Sequence, residues 1–241
     1  MPPYRGRVTA ELRYERNLFH AWQQFARELV KLGGNHMSVS EDREAVAPAA
    51  QPAAAAAAPV ADPGPLGLAA FALTTFLLST VNARWTMGNS AGTAFLGYAL
   101  AYGGIAQLLA GMWEFRNRNV FGATAFSSYG AFWIGLFVWI RTAPANTGHD
   151  LGWILVAFAI FNTYMLILSS QVNLAVFTVF LTLELTEIFL AIGNFTSSPG
   201  WTQFGGYVGI ITAAAAWYTS AAGVSNGLNG RLRIPVGKPL I

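Results

Sequence analysis

The charges of this 241-residue chain are segregated, and that segregation limits its fold more than any motif does. Met1 to Asp62 holds seven Lys/Arg and seven Asp/Glu, whereas Pro63 to Gly230 holds four Arg and four carboxylates. Over the whole chain 54 % of residues are hydrophobic and 10 % charged, against roughly 25 % charged in ordinary soluble domains. A stretch this poor in charge cannot clothe a water-facing surface, so it is read as a membrane domain. Six runs reach or approach the roughly 20 apolar residues that cross a bilayer: Leu66–Ala83, Gly92–Met112, Gly122–Ile140, Gly152–Ser169, Leu174–Gly193 and Phe204–Gly223. They lack the apolar–polar alternation of a β-barrel. The predicted fold is therefore an all-α membrane protein, with six transmembrane helices in a compact bundle.

An even number of crossings puts both ends on one side. Arg5, Arg7, Arg13, Arg16, Arg27, Lys31, Arg43, Arg116, Arg118, Arg231, Arg233 and Lys238 fall in the tails and second connection. The first, third and fifth connections hold only Arg84 and Arg141. Lys/Arg enrichment marks the cytoplasmic face, so both termini are predicted inside a multi-pass protein of the cytoplasmic membrane. The chain has no cysteine, which excludes disulfides, thiol catalysis and Cys-ligated metals. Of its three histidines, His20 and His36 precede the membrane domain and His149 lies in the third connection, so no metal site is expected. No phosphate loop, dinucleotide turn or Ser/His/Asp set is present, and no basic patch is interleaved with stacking aromatics. The expectation is no enzyme, no cofactor and no nucleic-acid partner.

Three regions follow. Residues 1–61 form a cytoplasmic extension in which Leu12–Leu32 can make an amphipathic helix, with Leu18, Trp22, Phe25, Leu29 and Leu32 on one face. Arg27, Glu28 and Lys31 interrupt its apolar residues, so it is no secretory signal. Met37 is a plausible second start, and Gln51–Pro65 is an Ala/Pro-rich linker expected to be disordered. Residues 62–230 are the six-helix transmembrane domain, and 231–241 a short cytoplasmic tail.

Inside the membrane domain, the second helix places Gly104, Gln107, Gly111 and Glu114 at three- and four-residue steps, hence on one face. Small residues there permit close helix contact. Gln107 needs partners in lipid; it either borders a wet path or joins two helices. Glu114, followed by Arg116 and Arg118, is expected as a solvated cap or ion pair. Ser127 and Ser128 begin the third helix. Glu184 and Glu187, three apart on the fifth, are costly at mid-membrane and therefore mark either function or a buried structural pair. Two carboxyls crowded together in a low dielectric resist being charged together, which makes them candidates for proton coupling.

Asp62-Pro-Gly-Pro-Leu-Gly-Leu opens the first helix. Tyr102-Gly-Gly-Ile-Ala-Gln-Leu-Leu-Ala-Gly-Met-Trp-Glu-Phe closes the second, Asn119-Val-Phe-Gly-Ala-Thr-Ala-Phe-Ser-Ser-Tyr-Gly-Ala-Phe-Trp opens the third, and Leu190-Ala-Ile-Gly-Asn ends the fifth. In these blocks the chain resembles the acetate uptake transporter family, to which the bacterial succinate–acetate permeases belong, over Pro63 to Gly237. The family signature at the first helix reads Asn-Pro-Ala/Val-Pro-Leu-Gly-Leu. Here Asp62 stands for Asn and Gly64 for Ala or Val, while Pro63, Leu66 and Gly67 agree. Asp is a good N-cap and Pro suits the first helical position, but Asp62 would partly cancel the pull of a helix N-terminus on anions.

The resemblance implies a hydrophobic gate at Phe71, Tyr129 and Leu183, and a homo-oligomer, typically a hexamer with one pathway per protomer. It implies passage of acetate, and of succinate or other short carboxylates. Proton symport is the expected mode, with channel-like conduction or ammonia/ammonium export as alternatives. Thr74, Thr75, Gln107, Ser127, Ser128 and Asn194 are the expected polar groups of the path. The family's short bacterial members have apolar residues or Thr where this chain has Glu184 and Glu187. Outside transport, a membrane sensor or assembly protein using residues 1–61 for interaction is the remaining reading.

Overall fold

In lipid a backbone has no water to bond with, so an apolar run must satisfy its own amides by coiling into a helix. The computed structural model describes Gln24, Arg27 and residues 60–86, 93–143, 148–228 and 230–241. It divides into Met1–Ala56 and Ala57–Ile241. The expected amphipathic helix over Leu12–Leu32 lies outside the described residues except for Gln24 and Arg27, which are helical. In the second unit, six helices are long and apolar enough to span a membrane: Gly64–Asn82, Phe95–Arg116, Val120–Thr142, Gly148–Ser169, Leu174–Phe195 and Pro199–Gly227. They are called spans 1 to 6. No strand occurs among the described residues. The protein is thus an all-helical, multi-pass membrane protein.

Spans 3 to 6 overrun the predicted boundaries, because polar residues that hydropathy leaves out extend or cap helix ends. Asn119 and Asn173 cap spans 3 and 5, their side chains accepting from Gly122 N at 3.1 Å and Val176 N at 2.9 Å. Span 6 starts at Pro199, five residues before the apolar run, since proline is tolerated in a helix's first turn. Asp62 is not the cap of span 1. Pro63 holds that position, and the Asp62 carboxylate accepts from Gly64 N at 2.9 Å; the Pro/Gly sequence makes this short Asx turn before the helix begins.

Spans 1, 2 and 5 end alike. Arg84, Arg118 and Ser197 have φ of 60°, 60° and 49°, each just past the helical C-cap. After span 2, Arg118 N bonds Phe115 O at 3.2 Å and Asn119 N bonds Glu114 O at 3.0 Å. That is the Schellman arrangement, ordinarily completed by glycine. None of the three turns carries the glycine or asparagine that usually marks this position in a sequence.

The extensive interfaces join span 1 to span 6, span 6 to span 5, span 5 to span 4, and span 2 to span 3. The span 2–3 seam depends on absent side chains: a Cβ on Gly130 would lie 2.7 Å from the backbone of Leu108. The middle of span 2, Ala99–Ala106, is a π-helix, and the Tyr98 carbonyl just before it accepts from Thr74 of span 1 at 3.4 Å. The tail is not loose. Val236 O accepts from Ala175 N at 2.9 Å, Leu240 N donates to Ser170 O at 2.7 Å, and Asn226 holds both polar groups of the Ile234 backbone. Prolines 235 and 239 prevent a helix, so the tail's amides bond to the ends of spans 4, 5 and 6 instead.

Candidate functional site

The Asx turn, the Schellman turn and the Asn119 cap all lie at one end of the bundle and there shape a vestibule of about 280 Å³. Its wall includes Asp62, Glu114, Asn119, Phe180, Asn226 and Val236. Glu114 is not the solvated residue its place beside Arg116 and Arg118 suggested: it is 1 % exposed. Neither carboxyl oxygen has a partner in hydrogen-bond geometry, although Asn117 and Asn119 are polar neighbours and Asp62 is in electrostatic reach. The burial comes from two glycines. A Cβ on Gly122 would sit 2.7 Å from Glu114 Oε1, and one on Gly64 would sit 3.4 Å from it, so spans 1 and 3 close over the carboxyl.

One to two turns further into the bundle, along spans 1, 3 and 5, the wall becomes apolar. Phe71, Tyr129 and Leu183 meet in a single buried cluster with Met165, Val179 and Phe180. The Phe71 and Tyr129 rings pack edge to face at 5.7 Å, and Tyr129 also packs against Phe158 and Phe161 of span 4. Beyond them lies a cavity of about 40 Å³, bordered by Thr75, Ser79, Tyr129, Leu183, Thr186 and Glu187. A space of this size holds about one water. The vestibule and this cavity are therefore separated by the three residues that sequence resemblance marked as a gate.

A polar chain leaves the second cavity sideways, between spans 3, 4 and 5. The Tyr129 hydroxyl lies 3.2 Å from Glu187 Oε1 and 3.0 Å from Asn162 Oδ1. The Asn162 amide donates to Phe180 O at 2.9 Å and Glu184 Oε2 at 2.7 Å. Glu184 Oε1 lies 2.9 Å from the hydroxyl of Thr163, which itself lies 2.9 Å from Ala159 O. Asn162 is fully buried and Glu187 only 4 % exposed, while Thr163 is exposed at the bundle's outer face. The other oxygen of Glu187 has no partner.

At the opposite end, Asn82, Arg84, Gly148, Asn194, Ser198 and Thr202 border a third cavity of about 340 Å³. Asn194 binds its own helix there, donating to Leu190 O at 2.8 Å.

The structure gathers Asp62, Phe71, Thr75, Tyr129, Leu183 and Glu187 along one line of cavities and reaches Glu184 through Asn162. Other candidates lie at helix contacts. Gly67 is buried, where a Cβ would be 2.7 Å from the Phe126 ring, and Pro63 caps span 1. Leu66 is exposed. Thr74 donates to Ala70 O at 3.0 Å and packs on Gly103. Gln107 is 1 % exposed with Oε1 unpartnered, Ser127 faces Gly111 with its hydroxyl unpartnered, and Ser128 is half-buried. Sequence reasoning missed Asn162 altogether. The signal was present: an amide in the middle of the most apolar span, where only a partner on another helix can satisfy it.

A family model described as the GPR1/FUN34/yaaH family matches residues 45–238. The ammonia transport outward protein 2 of Saccharomyces cerevisiae is 37 % identical over 184 residues, 72 % of this chain and 65 % of that one. The succinate-acetate/proton symporter SatP of Escherichia coli is 35 % identical over 185 residues, 74 % of this chain and 96 % of that one. The chain thus spans just under two thirds of its yeast relative's length. Among solved structures, one described as the bacterial acetate channel SatP superposes with a TM-score of 0.69 at 33 % identity, covering 74 % of this chain and 99 % of the other.

Proposed function

The chain belongs to the GPR1/FUN34/yaaH family, and from that premise we infer that it carries acetate and related short carboxylates across the plasma membrane. The observation that supports this most is the line of cavities broken only by Phe71, Tyr129 and Leu183. Three apolar groups meeting in a narrow path expel water and bar a hydrated ion, yet they part for a small amphipathic solute. Threonine and serine hydroxyls beyond the gate, with Thr75 Oγ1 lacking a protein partner, offer hydrogen bonds without a fixed charge. The positive-inside rule, applied to Arg116 and Arg118 of the connection beside it, supports a vestibule that faces the cytoplasm.

The mode is proton-accompanied transport. The vestibule presents the Asp62 carboxylate and, buried in its wall, the Glu114 carboxyl, and negative charge there repels an approaching anion. Acetate passing as the neutral acid, or together with a proton taken up by the protein, meets no such barrier. The same two groups attract a cation, which keeps ammonium as the second reading. Assembly as a homo-hexamer belongs to this proposal, since spans 3 and 4 leave Val138, Trp153, Ile160 and Ile167 exposed for lipid or for neighbouring copies.

Purified protein in liposomes should accumulate labelled acetate when the inside is alkaline, and exchange it without a gradient. Uptake of methylammonium but not acetate would move the assignment to the second reading.

A further inference from the structure

Six short polar contacts link Glu187, Tyr129, Asn162, Glu184 and Thr163 with the carbonyls of Phe180 and Ala159. The side chains supply four protons for them: one from each hydroxyl and two from the amide. The amide is oriented by its own neighbours. Two acceptors flank Asn162 Nδ2, so Oδ1 must face Tyr129. The tyrosine then has one proton and two acceptors. All six contacts are hydrogen bonds only when each glutamate carries a proton, Glu187 giving its own to Tyr129 and Glu184 giving its own to Thr163.

We propose that Glu187 and Tyr129 form a proton-binding site at the constriction, and that Asn162 is the positioning residue that converts its occupancy into the tethering of Tyr129. With the proton bound, the Glu187 hydroxyl donates to Tyr129, and Tyr129 donates to Asn162. The ring is then held between spans 5 and 4 by two bonds. When the proton leaves, the tyrosine O–H turns to the carboxylate, because a bond to a charged acceptor is the stronger. Asn162 Oδ1, in a site with no solvent exposure, loses its donor, and only ring packing then links Tyr129 to span 4. The proton is delivered to or taken from the cavity that Glu187 borders. The titratable groups around the site are Glu184 on the same span, Tyr129 on span 3, and Tyr164 of span 4 within electrostatic reach of Tyr129. Span 1 contributes Thr75 and Ser79, and span 6 faces the neighbouring Thr186 with Thr212; none of these titrates. That the tethered ring is part of a transport gate rests on the function proposed above.

Infrared difference spectra across a pH titration of the full chain in lipid test the site without any transport measurement. A protonated-carboxyl C=O band that is lost in Glu187→Gln identifies the proton. Tyr129→Phe and Asn162→Leu should each shift that band's position and its titration midpoint. If Asn162→Leu does not fold, Tyr129→Phe carries the test alone. A Glu187 band unchanged by Tyr129→Phe, or no such band at any pH, would overturn the proposal. In liposomes, Glu187→Gln and Tyr129→Phe should each flatten the pH dependence of acetate uptake, with no further loss in the double variant. Band shifts in a protein that carries no acetate would refute the transport reading and keep the proton site; acetate transport with an unmoved band would do the reverse.

Discussion

Two buried carboxyls, Glu114 and Glu187, stand on either side of the constriction and are held in opposite ways. Glu114 is fixed mostly by what is near it in the chain: the turn at Arg118, the cap at Asn119 and the small residue at Gly122 all fall within eight positions, and Gly64 of span 1 is the distant neighbour that completes its burial. Glu187 is fixed by distant partners, Tyr129 58 residues earlier and, through it, Asn162. The first has no hydrogen-bond partner and opens onto a vestibule roomy enough for solute; the second belongs to a polar chain beside a space for about one water. A carboxyl held mostly by its own helix end and the next turn depends little on how spans 4 and 5 are placed. One held by a neighbouring span reports where that span is, and this suits Glu187 to the moving part of a transporter.

The comparison breaks most readily at the constriction. Ala at Phe71, Tyr129 or Leu183 should join the vestibule to the second cavity and admit larger carboxylates or leak ions, measured as conductance and as competition for acetate uptake. Wild-type selectivity in all three would place the barrier elsewhere. On the long-range side, Asn162→Ala removes the bonds that tie span 4 to Tyr129, Glu184 and the Phe180 carbonyl and leaves a buried void, and should cost about 2–3 kcal/mol, read from unfolding in mixed micelles. On the local side, Asn119→Ala removes a helix cap and one polar neighbour of Glu114 and should cost about 1 kcal/mol. Equal losses in these two variants would erase the distinction. Asp62→Asn removes a charge from the N-terminal end of span 1. It should raise acetate affinity on the vestibule side by about two- to fivefold, the worth of one charge at a helix end, and leave the opposite side unchanged. Smallest of all, Arg118→Gly should stabilise the protein by about 0.5 kcal/mol, the left-handed penalty less glycine's extra chain entropy.

Features that depend on short stretches could be read from the amino acids alone. Hydropathy summed over about 20 residues placed six spans to within a few residues, because every amide in lipid must be bonded inside its own helix. The Pro/Gly-rich opening of span 1 and the span 2–3 block were legible as matches to a family, and they turn out to be contact surfaces: Pro65 O accepts from Ser220 of span 6 at 2.7 Å, and Gly67 lies under Phe126. Helix ends were less legible, since Arg84, Arg118 and Ser197 adopt the left-handed conformation without being glycine, held there by two backbone bonds each. Glu114 was misjudged because its neighbours in sequence are arginines while its neighbours in space are Gly64 and Gly122. The tertiary structure alone decided which polar residues face one another. The rotation of each span about its axis, set by packing along its whole length, brings Asn162 rather than Thr163 to Tyr129, turns Gln107 into a helix seam, and folds the tail back on spans 4, 5 and 6. No local pattern carries that rotation, so partners 20 to 60 residues apart become visible only once the helices have packed.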